Sequence, residues 1–262
     1  MKEIFVLTIK SVFRDRVFLI ITGSLILYLA VPVFGLLSMK NVFEISVTLS
    51  LTLNSFILLM LSILGGVATV WRDMEKKYVY TLLSIPLSRE AYILGRFFGF
   101  SLIMLFFTLL NFLITLAISS ITAKVVSDVT FSALILFIAF FLSYLKFTLL
   151  MMICFLFSVV STSFFLPFFA TIAIFLLGNA SQGIYDAIFL AKEVDYPEFF
   201  KILIKILYFI LPNLSTFDFT IYASYGIDLE VKKFFLAVVY FLLYFLIVLS
   251  GTLIIFKKKN LQ

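Results

Sequence analysis

The chain contains no histidine and a single cysteine, and charged residues make up only 13% of it. Each shortage excludes something. Without histidine, the commonest general base and the commonest metal ligand are both gone. The lone Cys154 cannot form a disulfide within the chain, and its apolar surroundings say nothing about compartment. Charge is about half as frequent as the ~25% of an ordinary soluble domain. What replaces it is apolar: 64% of the 262 residues are hydrophobic and 35 are phenylalanine, with a mean hydropathy of +1.23. A soluble core of this length cannot hide so much apolar surface, so the solvent is lipid.

Six apolar runs follow one another, roughly 17–37, 46–70, 96–120, 131–157, 164–185 and 234–256. Each approaches or exceeds the ~20 residues that cross a ~30 Å hydrocarbon core at ~1.5 Å per residue. None alternates as a membrane strand would, so the spans are expected to be helices. No internal repeat, low-complexity tract or separate soluble domain interrupts them. The expectation is one all-α integral membrane domain, 1–262, with six transmembrane helices.

Lysine and arginine set the orientation. With both termini in the cytosol, the inside holds Lys2, Lys10, Arg14, Arg16, Arg72, Lys76, Lys77, Arg89, Arg96, Lys257, Lys258 and Lys259. The outside holds Lys40, Lys124, Lys192, Lys201, Lys205, Lys232 and Lys233, five of them in one long loop where the rule counts less. The asymmetry favours a multi-pass protein of the cell membrane with both termini cytosolic. In this setting the net charge of +6 concerns orientation, not nucleic acid.

The first apolar run is too long for a signal-peptide core and no small-residue cleavage site follows it, so it is expected to remain as a span. Before it, 1–16 carries Lys10 and Arg14 on one side and Phe5, Ile9, Val12 and Phe13 on another. That pattern fits a helix lying in the cytosolic interface, or else the start of a tilted first span. The outer loop, 181–233, contains Pro197-Glu198 followed by an apolar run to Leu211, with Lys201 and Lys205 four apart and Pro212 at its end. It is too short to span; an amphipathic or re-entrant outer helix fits. A seventh span would put the C-terminal lysines outside, against the charge rule.

The one conspicuously polar interruption is WRDMEKKYVYTLLSIPLSREAYILGRFFG, residues 71–99. Trp71 is an interfacial residue type, and Arg72, Asp73, Glu75, Lys76 and Lys77 put the chain in water. Tyr78, Thr81, Leu82 and Ile85 recur at helical spacing. Pro86 drives Ile85 out of helical geometry. Ser88 can then cap the next helix, with Glu90 in its first turn. The expected result is a cytosolic helix–turn–helix elbow, 71–95, whose apolar stripe no lipid covers. Packing on the N-terminal helix and docking into another protein's groove both satisfy it.

This stretch resembles the coupling region of ABC-2-type ABC transporter permeases. There, an acidic pair precedes T-x-x-L-L-S-x-P-[IVL]-S-R, and a G-[KR] follows after a spacer. Here Asp73 and Glu75 precede Thr81-Leu82-Leu83-Ser84-Ile85-Pro86-Leu87-Ser88-Arg89, and Gly95-Arg96 follows. The departure lies before Thr81, where many members carry glycine and this chain has Lys77-Tyr78-Val79-Tyr80. The basic N-terminal helix, six spans, late outer loop and basic tail suit the multi-copper-enzyme-maturation-like branch. The resemblance implies a transport subunit, not an enzyme, that pairs with a second copy of itself and with cytosolic ABC ATPase subunits. Asp73, Glu75, Thr81, Leu82, Leu83, Pro86, Ser88 and Arg89 would form the ATPase-coupling interface. The chain has no G-x-x-x-x-G-K-[ST] loop, so ATP and magnesium would reside on the partner and no cofactor in this chain.

Inside the spans, Lys146 is the one charge well within a run. Placing it there costs about 2.5–3.5 kcal/mol on insertion scales. It reads as part of a pathway for an anionic substrate or lipid headgroup, or as a structural pairing or snorkelling residue. Asn54 and Asn111 join it as pathway candidates, with inter-helix hydrogen bonding as the alternative for them and for Asn179. Gly95 and Gly99 form a GxxxG that fits close helix packing. Cys154 beside Met151 and Met152 suggests apolar packing before any soft-metal site. No metal site and no catalytic set emerges, since Asp186, Glu193, Asp195 and Glu198 have the spacing of solvated loop acids. A membrane carrier, channel or assembly scaffold working without an ATPase is the alternative class.

Overall fold

A computed structural model of the chain describes residues 2–13, 22–37, 41–76, 78, 88–126, 132–190 and 197–259. Among these the regular structure is helical throughout, with no strand. In chain order the elements are α1 (Lys2–Phe13), α2 (Ser24–Leu37, opening as a 3-10 helix), α3 (Val42–Glu75), α4 (Arg89–Val126), α5 (Ala133–Val160), α6 (Phe165–Phe189), α7 (Glu198–Ile210), α8 (Thr220–Tyr225) and α9 (Val231–Lys258). Helix is the form an apolar run must take in lipid, where every backbone N–H and C=O needs an internal partner.

Among the described residues, five helices are long and apolar enough to cross a membrane: α3, α4 (through Thr122), α5, α6 and α9. A bent pair, Glu198–Ile210 with Leu214–Tyr225, passes the same test at 47° and forms either a broken span or a re-entrant loop. The chain is thus all-α, with helices that fit a multi-pass membrane protein. The first expected span is described only from residue 22, where Ser24–Leu37 is a shorter apolar helix.

α5 is the hub. In its most apolar window 61% of residues are buried, against 6% in α9, so α5 is packed on all sides while α9 turns most of its surface outward. Phe147, Leu149, Leu150, Met151, Met152, Cys154 and Phe155 are all sealed within the bundle. α3, α4, α6 and α9 all pack against α5, with α9 also touching α4 and α6 touching α3. Cys154 behaves as an apolar packing residue, and no group of three or more metal-ligating side chains occurs among the described residues.

α1 lies along α4. Its inward face is Ile4, Thr8 and Val12, whereas Phe13, expected on the apolar stripe, is 53% exposed, as are Val6 and Leu7 in large part. The shift follows from its neighbour. Gly99 on α4 offers no side chain, and a Cβ there would meet Thr8 Cβ at 2.8 Å. The small Thr8 therefore turns inward, and the GxxxG glycine serves helix packing within one chain.

Candidate functional site

The helices that lead into and out of the 71–99 stretch, the arms of the expected elbow, are α3 and α4. Continuous helix from Val42 to Glu75 is 34 residues, or ~51 Å at 1.5 Å per residue. α4 is 38 residues, or ~57 Å. Both overrun a ~30 Å core by 20 Å or more, shared between their two ends. A single π-helical turn, Val67–Trp71, interrupts α3 just before the arm, with Trp71 edge-on to Phe164 at 5.5 Å. π-turns inside α-helices are frequently found at functional positions.

The arms are joined at their base. Asp73 Oδ2 accepts hydrogen bonds from Arg96 Nη2 at 2.5 Å and from the Tyr92 hydroxyl at 2.7 Å. Arg96 Nη1 reaches the Thr8 hydroxyl on α1 at 3.3 Å, and its guanidinium lies 5.8 Å from the Tyr92 ring centre. All four side chains are buried. Tyr92 in turn stacks on Phe256 of α9 at 5.8 Å. Removing one partner from a buried pair such as Asp73–Arg96 costs about 3–5 kcal/mol, because the other charge is stranded. The acid and the G-R arginine of the coupling stretch, 23 positions apart, are therefore two halves of one clasp.

Ser88 caps α4 as its sequence suggests, its Oγ accepting from the Ala91 N–H at 3.2 Å. Arg89 turns back on the bundle. Its Nη1 donates to the carbonyls of Phe256, Lys257 and Lys259 at 3.4, 2.8 and 3.1 Å. It thereby satisfies the orphan carbonyls at the end of α9, where a cation also complements the helix dipole. Lys259 repeats the device, donating to the Val159 carbonyl at the end of α5 at 2.6 Å. Glu75 is exposed and Asp73 is not. Thr81, Leu82, Leu83 and Pro86, the rest of the coupling set, lie outside the described residues. These contacts gather α1, both arms of the elbow and the described C-terminal end at one end of the bundle.

The polar groups expected along a pathway form two separate sets. Asn111 Nδ2 donates to Asn54 Oδ1 at 3.0 Å across α4 and α3. Both residues are sealed from solvent, and Asn54 Nδ2, Asn111 Oδ1 and the hydroxyls of Ser46 and Ser50 find no partner among the described residues. Lys146 belongs to the other set. It stands halfway along α5 and donates to Asn179 Oδ1 at 2.6 Å, halfway along α6. Its ammonium lies 5.8 and 5.7 Å from the ring centres of Phe147 and Phe175.

Beside Asn179 the backbone breaks. The bend between α7 and α8 is pressed onto α6, where a Cβ on Gly178 would meet the Pro212 carbonyl oxygen at 2.7 Å. Gln182 Oε1 accepts from Asn213 Nδ2 at 2.7 Å and from the Tyr208 hydroxyl at 2.9 Å. The Asn213 N–H donates to the Tyr240 hydroxyl at 2.6 Å, and Ser215 donates to Asn213 Oδ1 at 2.6 Å. Such irregular backbone is tolerated at membrane depth only where protein or a polar cavity satisfies it.

Sequence reasoning did not pair Arg96 with Asp73 or single out Tyr92, Thr8 and Gln182. The one available signal was the coupling stretch itself, which marks Asp73 and Arg96 at its two ends. No protein-family model matches the chain, and no curated protein matches it.

Proposed function

We propose that the chain is the transmembrane subunit of an ATP-driven ABC-2-type transporter. In this reading it works as an exporter, as a homodimer with six spans and both termini in the cytosol of a cell-membrane assembly. Two separate ATPase subunits would bind ATP and magnesium and drive it through the 71–99 elbow. The observation that carries the reading is the Asp73–Arg96–Tyr92 clasp at the elbow's base.

An input element must be stiff to transmit force. The clasp ties both arms to each other and to α1, and Tyr92 and Arg89 tie the second arm to α9. A displacement applied to 77–87 is thus delivered to several helices at once, not absorbed by one hinge. Asp73 shapes the elbow from beneath, while Glu75, exposed at the end of its arm, is free to meet a partner. Leu82, with Tyr78 and Ile85, would supply the apolar stripe for a helix-in-groove contact, with Leu83 beside it. Lys146, Asn54 and Asn111 would line the route of the cargo.

The test is co-purification in gentle detergent. An ATP-hydrolysing subunit should elute in fixed ratio with the native chain and separate from the Leu82→Asp/Leu83→Asp variant. Retention of the ATPase by a well-folded double variant would refute the docking assignment. Absence of any ATPase from the native complex would favour a carrier, channel or scaffold.

A further inference from the structure

The bend between α7 and α8 and the ammonium of Lys146 both lie against the middle of α6. Asn179 holds the lysine, and its neighbour Gly178 holds the bend. Lys146 is 9% exposed, and among the described residues its one hydrogen-bonding partner is the neutral Asn179 amide. An ammonium has three donors, so this cation is incompletely satisfied and carries no ion pair. The acid whose field reaches it is Asp218, at the end of the bend. That carboxylate accepts from the Thr220 N–H at 3.1 Å and is exposed, and among the described residues it makes no salt bridge to the lysine. Broken helices at mid-membrane depth, with a charge beside the break, are where membrane proteins seat polar ligands.

We propose that Lys146, Asn179 and the α7–α8 bend form a binding site for a phosphate or carboxylate group, carried by an amphiphile or free. Lys146 supplies the charge, the Asn179 amide positions it, and the bend lies alongside on α6. Asp218 sits on the rim and weakens the site for an anion. The identification of this ligand with the cargo rests on the transporter reading, but binding does not. It is measured on the purified chain without any ATPase, so its failure and that of the coupling assignment are told apart.

The experiment titrates the detergent-purified chain with dodecyl phosphate, the uncharged tetraethylene glycol monododecyl ether, and inorganic phosphate, reading the melting temperature. Dodecyl phosphate should raise it saturably and the uncharged ether of equal chain length should not. Stabilisation by inorganic phosphate as well would support the site and identify it as one for a free anion. Lys146→Met should raise the half-maximal concentration at least about tenfold, as loss of a charged hydrogen bond implies. Lys146→Arg should retain binding, and Asp218→Asn should lower the half-maximal concentration. If the methionine variant does not fold, Lys146→Gln carries the same comparison. Equal stabilisation by the uncharged ether, or undiminished phosphate preference without Lys146, would overturn the proposal.

Discussion

A guanidinium with 4% of its side chain exposed must find acceptors, and Arg96 finds Asp73 on α3 and Thr8 on α1. Arg96→Met should therefore cost about 3–5 kcal/mol, because Asp73 is left charged and alone. The double variant Arg96→Met/Asp73→Leu should recover a large part of that loss. Denaturation of the two single variants and the double, read as a cycle, measures the coupling. Arg89 acts at the edge of the same end. Arg89→Ala should leave the global fold intact, cost about 1 kcal/mol, and speed hydrogen exchange in the last turn of α9. Ser88 was legible as a cap because capping is local, read from three residues. The contacts of Arg96 and Arg89 were not, since they join positions 23 to 170 residues apart and no spacing rule reaches across a fold.

Among the elements, the long helices are visible in the apolar runs: 131–157 becomes Ala133–Val160, and 164–185 becomes Phe165–Phe189. Pro212 likewise marks the end of α7 at Ile210, as its missing N–H requires. How helices touch was less legible, because touching depends on which face meets which neighbour. α1 presents Thr8 and not Phe13 to α4, for Gly99 decides that face. Gly99→Val should undock α1, costing about 1–3 kcal/mol by overpacking and exposing its residues to limited proteolysis. The amide pair between α3 and α4 is weaker glue. Asn54→Ala should lower stability by about 0.6–2 kcal/mol, and Asn54→Ala/Asn111→Ala should add little further loss. The bend between α7 and α8 was marked in sequence by Leu211-Pro212-Asn213 and Phe217-Asp218, but its seat was not, since that depends on the missing side chain of Gly178 on another helix.

At the scale of the whole molecule, the bundle differs along its length. One end gathers α1, the α3 and α4 arms and the described C-terminal turn around one buried ion pair and capped carbonyls. Away from that end, the bent α7–α8 pair lies against α6 and α9, its break level with the middle of α6. The outer faces of α7 and α9, including Phe199, Phe209, Phe235, Leu243 and Ile247, remain more than half exposed and apolar, as surfaces solvated by lipid are. Hydropathy made the apolar helices readable, because lipid imposes one rule on every span. The elbow's partner follows no such rule and rests on the 71–99 stretch. The most direct test is the stoichiometry of ATPase bound to the purified chain, before and after Leu82→Asp/Leu83→Asp. The account predicts a fixed-ratio ATPase with the native chain and none with a variant that keeps its melting temperature. An ATPase that stays bound to that variant, or a native complex without one, would contradict it.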